Sequence, residues 1–165
     1  MENYSTLVPN QVIIGERLYE DAIDIVLANA QHELLIFDQD LSRGNFSSLK
    51  KHQFFEQFLS ENQQSRLTII LHSATFFKEK CPRLYQLLEI YGHKMTVYET
   101  NETVKHAKDC FILVDGQHYI KRIHIDHARF KYALNDAPTV EQLNARFGEL
   151  LEATQTTIST TTLGL

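Results

Sequence analysis

The sequence predicts an α/β fold built on a mixed, mainly parallel sheet with helices on both faces. Three observations carry that expectation. Short apolar runs at 33–38 (ELLIFD), 66–72 (RLTIILH) and 111–114 (FILV) are separated by stretches of helical periodicity through residue 100, the order that gives strand–helix–strand units and parallel pairing. The FILV run is unbroken rather than alternating, which suits a strand covered on both faces. An Asp115-Gly116 pair follows it and predicts a hairpin, hence one antiparallel element near the end.

Taken in order, residues 1–10 read as a flexible arm closed by Pro9-Asn10, and Gln11 to Gly15 as a short strand ended by glycine. Arg17 to Ala30 repeats Leu18, Ala22, Ile25 and Val26 at the spacing of an amphipathic helix. After the strand Glu33–Asp38 comes a polar segment with Asp38, Asp40, Arg43 and Gly44, a loop at the carboxyl edge of the sheet, where open α/β folds usually bind ligands. Asx turns account for its acids as well as a metal or an anion would. Ser47 or Ser48 caps a helix running to about Asn62, with Phe54, Phe55, Phe58 and Leu59 inside. Arg66–His72 is a strand, Ser73 to Lys80 a connector, and Pro82 to Gly92 a helix with proline in its first turn and glycine at its stop. Lys94–Thr100 is the next strand, and the hairpin around Asp115-Gly116 returns along His118–His124. Ile125 to Tyr132 fits either strand or a helical turn. Asn135 to Pro138 breaks the chain, and Thr139 with Gln142 opens a helix to Ala153 as a capping box. The Thr-rich segment 154–165 reads as a flexible tail.

The expected organisation is therefore one domain over residues 11–153. At 165 residues, 43% hydrophobic and 22% charged, the chain has ordinary globular composition. A net charge of −5 argues against a broad nucleic-acid-binding surface and leaves room for a local basic patch around Lys121 and Arg122. The opening MENYSTLVPN lacks the basic and apolar regions of a signal peptide. No apolar run nears the roughly 18 residues of a membrane span. A cytoplasmic protein with no membrane contact is the expectation, in keeping with two cysteines and no CxxC.

Functional side chains crowd into Lys105–His124. Lys108, Cys110, FILV and then Asp115-Gly116 resemble the central motif of the phospholipase D-like superfamily, His-x-Lys-(x)4-Asp followed by Gly-Ser-x-Asn. In that family the His attacks phosphorus and the Lys holds the phosphate oxygens. Anchored on Asp115, the resemblance puts Lys108 in the His slot and Cys110 in the Lys slot. Anchored on His106-Ala107-Lys108, it puts Leu113 where the Asp should be. Arg122, Ile123 and Ile125 occupy the slots of Gly, Ser and Asn. The resemblance thus implies a phospholipase D-like lobe with a degenerate motif, a pseudoenzyme acting as a binding or interaction module. Active members bring two motif copies together at a pseudo-twofold axis, so a single lobe implies either a monomer without the site or a homodimer. Lys108, Cys110, Asp115 and Arg122 are the expected ligand-binding residues, for an anionic or phosphate-containing ligand, although Asp115 is also explained as a turn residue. The alternative is a phosphodiesterase or nuclease in which a bulge brings His106 into place beside Lys108 at a dimer interface.

No cofactor is implied. His124 and His127 with Asp126 have the residue types of a metal site. On a single strand, however, His118 and His124 share a face that His127 does not, so no metal is expected.

Overall fold

The computed structural model describes residues 7–159. Its elements run β1 (Ile13–Ile14), α1 (Glu16–Leu27), β2 (Glu33–Asp38), α2 (Leu49–Glu61), β3 (Arg66–Leu71), α3 (Thr75–Lys80), α4 (Pro82–Ile90), β4 (Met95–Thr100), β5 (Cys110–Val114), β6 (His118–His124), β7 (His127–Ala133), α5 (Ala137–Glu152) and β8 (Thr154–Thr157). Local chemistry sets the helix starts. Ser48 caps α2 by accepting a hydrogen bond from the Lys51 N–H at 3.1 Å. The connector expected at 73–80 contains the short helix α3. α5 begins at Ala137 rather than Thr139, because Pro138 already has the φ of a first helical turn. Its cap is Asp136, whose carboxylate accepts from the Thr139 N–H and hydroxyl, in place of the expected Thr139–Gln142 box.

All eight strands form one sheet in the order β1-β7-β6-β5-β2-β3-β4-β8. The mixed sheet was expected, but its mainly parallel character was not borne out. Only β2–β3 and β3–β4 run parallel, and every other pairing is antiparallel. The reason lies in the connections. Helical crossovers return the chain in the same direction between β2, β3 and β4, whereas tight hairpins join β5, β6 and β7 and permit only antiparallel pairing. β5 itself enters on the far side of β2 and runs against it.

The Asp115-Gly116 turn has φ of 56° and 69° at its two residues, the left-handed pair that this dipeptide tolerates. The pairing of Val114 with His118 makes the connection one residue longer than a two-residue loop, and the Gln117 carbonyl accepts from the Asp136 N–H at 2.7 Å. Residues 125–132, left open by the sequence, make a second hairpin turn and β7.

Four helices cover one face of the sheet and α5 covers the other. Ile36, Ile112, Val114, Ile120 and Phe130 pack toward Ile23, Val26, Phe55 and Leu59. Leu35, Phe37, Phe111, Leu113 and Tyr119 pack toward Val140, Leu143, Phe147 and Leu150 of α5. Thr154–Thr157, expected within a flexible tail, instead pairs with β4, and Ile158 is buried beyond it. At the other end the Asn10 N–H donates to the Tyr132 carbonyl, and the Tyr119 hydroxyl donates to Asn10. The rest of the expected arm and tail, 1–6 and 160–165, lies outside the described residues. Among the described residues no helix is long and apolar enough to cross a membrane.

Candidate anion-binding groove

On the α5 side the sheet changes character along the β6–β7 hairpin. Strand alternation places Tyr119, Lys121 and Ile123 on that face. Tyr119 opposes Ala133 beneath α5, and the next pair on this face is Lys121 opposite Lys131. Two like charges directly opposed across a ladder are destabilising. α5 covers the first pair but not the second, and an open groove of about 610 Å³ lies there. Its lining is His106, Lys108, Asp109, Lys121, Ile123, His124, Lys131 and Arg146.

Strand direction explains how these residues meet. Because β5 runs against β2, the segment entering β5 reaches the same margin as the carboxyl ends of β2, β3 and β4. Buried polar contacts fix it there. The His72 Nε2–H donates to the Ala107 carbonyl at 2.7 Å, which leaves Nδ1 to accept from the Thr100 hydroxyl at 2.8 Å. Burial holds the His72 pKa below its usual value, so the neutral ring suits this arrangement. Gln39 Nε2 donates to the carbonyls of Ala107 and Asp109 at 3.0 and 3.1 Å. Lys105 Nζ donates to the His72 carbonyl. Residues 105–109 are thereby set as one wall, carrying His106 and Lys108 into the groove. Arg146 of α5 forms the opposite wall, its Nη2 donating to Asp109 Oδ1 at 2.6 Å, while Lys121 Nζ lies 3.8 Å from Asp109 Oδ2.

The expected ligand residues do not all come together here. Lys108, with His106 beside it, is in the groove. Cys110 and Arg122 are paired with each other across β5–β6 and face the opposite side, toward α1. Arg122 is completely buried and holds Glu16 in a two-pronged pair at 2.8 and 2.9 Å. It also donates to the carbonyls of His124 and Ile125 and stacks over the Tyr19 ring at 4.9 Å. The pairing with Arg122 holds the Glu16 carboxyl below its usual range. The Cys110 thiol, 3.5 Å from Asp38 Oδ1, is pushed well up by burial and then by the Asp38 charge. Asp38 is itself raised to about 6, chiefly by burial. Asp115 sits at the far end of the hairpin, where its carboxylate accepts from the backbone N–H groups of Gln31, His32 and Glu33.

Sequence reasoning missed Lys131 and Arg146. The hairpin turn at Ile125-Asp126 would have revealed β7, but its register alone puts Phe130 opposite Lys121; a one-residue shift between Arg122 and His124 brings Lys131 there instead. The same turn corrects the reading of the histidines: His124 and His127 face each other from two strands, with ring centroids 5.3 Å apart. Among the described residues, no group of three or more His, Cys, Asp or Glu could hold a metal. In the acidic loop Asp40 makes an Asx turn with the Ser42 N–H, and Arg43 lies 3.9 Å from Glu16.

The mixed α/β fold of this chain is similar to that of phospholipase D family structures. The chain aligns with a phospholipase D family member, Nuc from Salmonella typhimurium, at TM-score 0.58 and 9% identity, covering 88% of this chain and 96% of that one. NucT from Helicobacter pylori gives TM-score 0.60 and 10% identity over 87% and 96%. TrmBL2, an archaeal chromatin protein described as showing a novel mode of DNA binding, gives TM-score 0.64 and 13% identity over 88% of this chain. The chain spans about half of TrmBL2, 53% of its length. At these identities the likeness is one of fold. No curated protein matches the sequence. The chain belongs to the family described as Domain of unknown function (DUF7931), whose model matches residues 17–162.

Proposed function

We propose that the protein is a non-catalytic phospholipase D-like module that binds a phosphate-containing polyanion along the groove. The observation that carries this reading is the convergence of Lys108, Lys121, Lys131 and Arg146 on one open surface of a chain whose net charge is −5. Cations gathered against the overall balance create a local field that attracts anions. The side chains in the motif slots do not support turnover. Lys108 lies in the groove, but Cys110 is a buried thiol on the other face and supplies no fixed positive charge for a transferring phosphoryl group. A cytoplasmic setting and assembly as a homodimer belong to the same proposal. Since the TrmBL2 structure is described as binding DNA, nucleic acid is the first ligand to try, through the groove alone.

The test is fluorescence anisotropy with a labelled single-stranded oligonucleotide, with sedimentation for the oligomeric state. Three or four phosphate contacts give a log–log salt slope of about −2 to −3. A Lys121→Glu/Lys131→Glu double variant should lose binding while staying folded. Binding that this variant retains would overturn the reading. His106 beside Lys108 in the groove favours a second reading, a phosphodiesterase with His106 as nucleophile. Oligonucleotide cleavage that disappears in His106→Ala would replace the non-catalytic reading with that one.

A further inference from the structure

We propose that Asp109 is a resident counter-anion of the groove, which makes the site select an extended polyanion over a single phosphate. This rests on the groove reading above. Among the described residues lining the groove, Asp109 is the one carboxylate, set amid Lys108, Lys121, Lys131 and Arg146. It is 8% exposed. It occupies Arg146 through one hydrogen bond of 2.6 Å and approaches Lys121 at 3.8 Å. That contact is not the parallel two-bond pairing open to an arginine, and Arg146 Nε is buried with no hydrogen-bond partner. A single-bonded pair is easier to exchange than a two-pronged one.

The backbone of Asp109 is held in place, so its carboxylate stays at the groove when a ligand takes Arg146. Its carbonyl accepts from Gln39 Nε2, and the next residue begins β5. A lone phosphate that takes Arg146 therefore leaves a largely buried carboxylate with a weakened partner, and the cost of that unpaired charge offsets what the new phosphate–arginine bond contributes. A longer polyanion can engage Lys108 and Lys131, which make no ion pair with Asp109, and leave the Asp109–Arg146 pair in place. The acid thus penalises small anions more than extended ones.

The test measures inorganic phosphate and a single-stranded oligonucleotide against wild type, Asp109→Asn and, as a second variant, Asp109→Ser, each first shown to be folded by urea titration. The expected result is a gain of about tenfold for phosphate, the size of one charge-assisted contact, and a smaller gain for the oligonucleotide. Freeing Arg146 should also steepen the oligonucleotide salt slope by about 0.7. Equal gains for both probes, or weaker phosphate binding in both variants, would overturn the proposal and make Asp109 a positioning residue for Arg146. If neither probe binds any of the three proteins, the groove reading fails and this one with it; oligonucleotide binding without the phosphate gain sinks the Asp109 proposal alone.

Discussion

Replacing Asp38 with asparagine should remove a pH dependence from folding. The carboxyl is 2% exposed and its pKa is raised from 3.8 to about 6, first by burial. Hydrogen bonds from the Gln39 and Leu41 N–H groups and from the Cys110 thiol act the other way without cancelling it. A folded pKa above the unfolded one means that the native state favours the protonated form. The contribution is therefore fully present below about pH 4 and lost as the pH rises through about 6. A shift of about 2 units corresponds to about 3 kcal/mol lost over that window. The asparagine side chain stays neutral throughout and loses nothing. Equilibrium urea unfolding at intervals between pH 4 and pH 8 should show the Asp38→Asn variant gaining on wild type by up to about 3 kcal/mol, with a plateau above about pH 7. Parallel stability curves across the whole range would refute this, because they would mean that Asp38 ionises in the folded protein as easily as in water.

Three further outcomes follow from the packing. Arg122→Met should cost about 1–3 kcal/mol in urea unfolding, since it leaves the carbonyls of His124 and Ile125 without their donor while the half-exposed Glu16 carboxylate returns to water, and Arg122→Lys should restore little of it because an ammonium lacks the planar fork. A loss under about 1 kcal/mol would place Arg122 outside the structural role described. Gly44 has φ of +90°, and a Cβ there would meet Ile23 Cδ1 at 2.7 Å, so Gly44→Ala should lower stability by about 1–3 kcal/mol in the same assay. Cys81 and Cys110 are buried and their thiols are raised by burial, Cys81 to about 11. Ellman's reagent at pH 8 should leave both untouched until denaturant is added; rapid labelling of the native protein would contradict their burial.

What the sequence reveals about this fold is what short-range chemistry decides. Strand β2 is legible to the residue because ELLIFD is apolar between polar ends, and the Asp-Gly turn because few residue pairs accept two positive φ values in a row. Strand order is not local. FILV announces a strand buried on both faces, but nothing in it says that the neighbour would be β2 or that the two would run in opposite directions. The same limit governed the site. The motif slots grouped Lys108 with Cys110 as ligand-binding residues, yet β5 begins at Cys110, and the residues before it follow the hydrogen bonds of His72 and Gln39 instead of the pleat. Arg146 reaches the groove from a helix that follows the whole β6–β7 hairpin in the chain, a meeting that depends on where α5 lies across the sheet.

The margins of the sheet bear on how copies of this protein could associate. On one side β7 is shielded along 128–132 by the chain from Asn10 to Gly15, and on the other the outermost strand is four threonine- and glutamine-rich residues long. Margins this brief or this guarded offer little to a second backbone. A homodimer would have to be held by side chains meeting across helices or sheet faces, and point substitutions there, rather than prolines placed in strands, would be the way to take it apart.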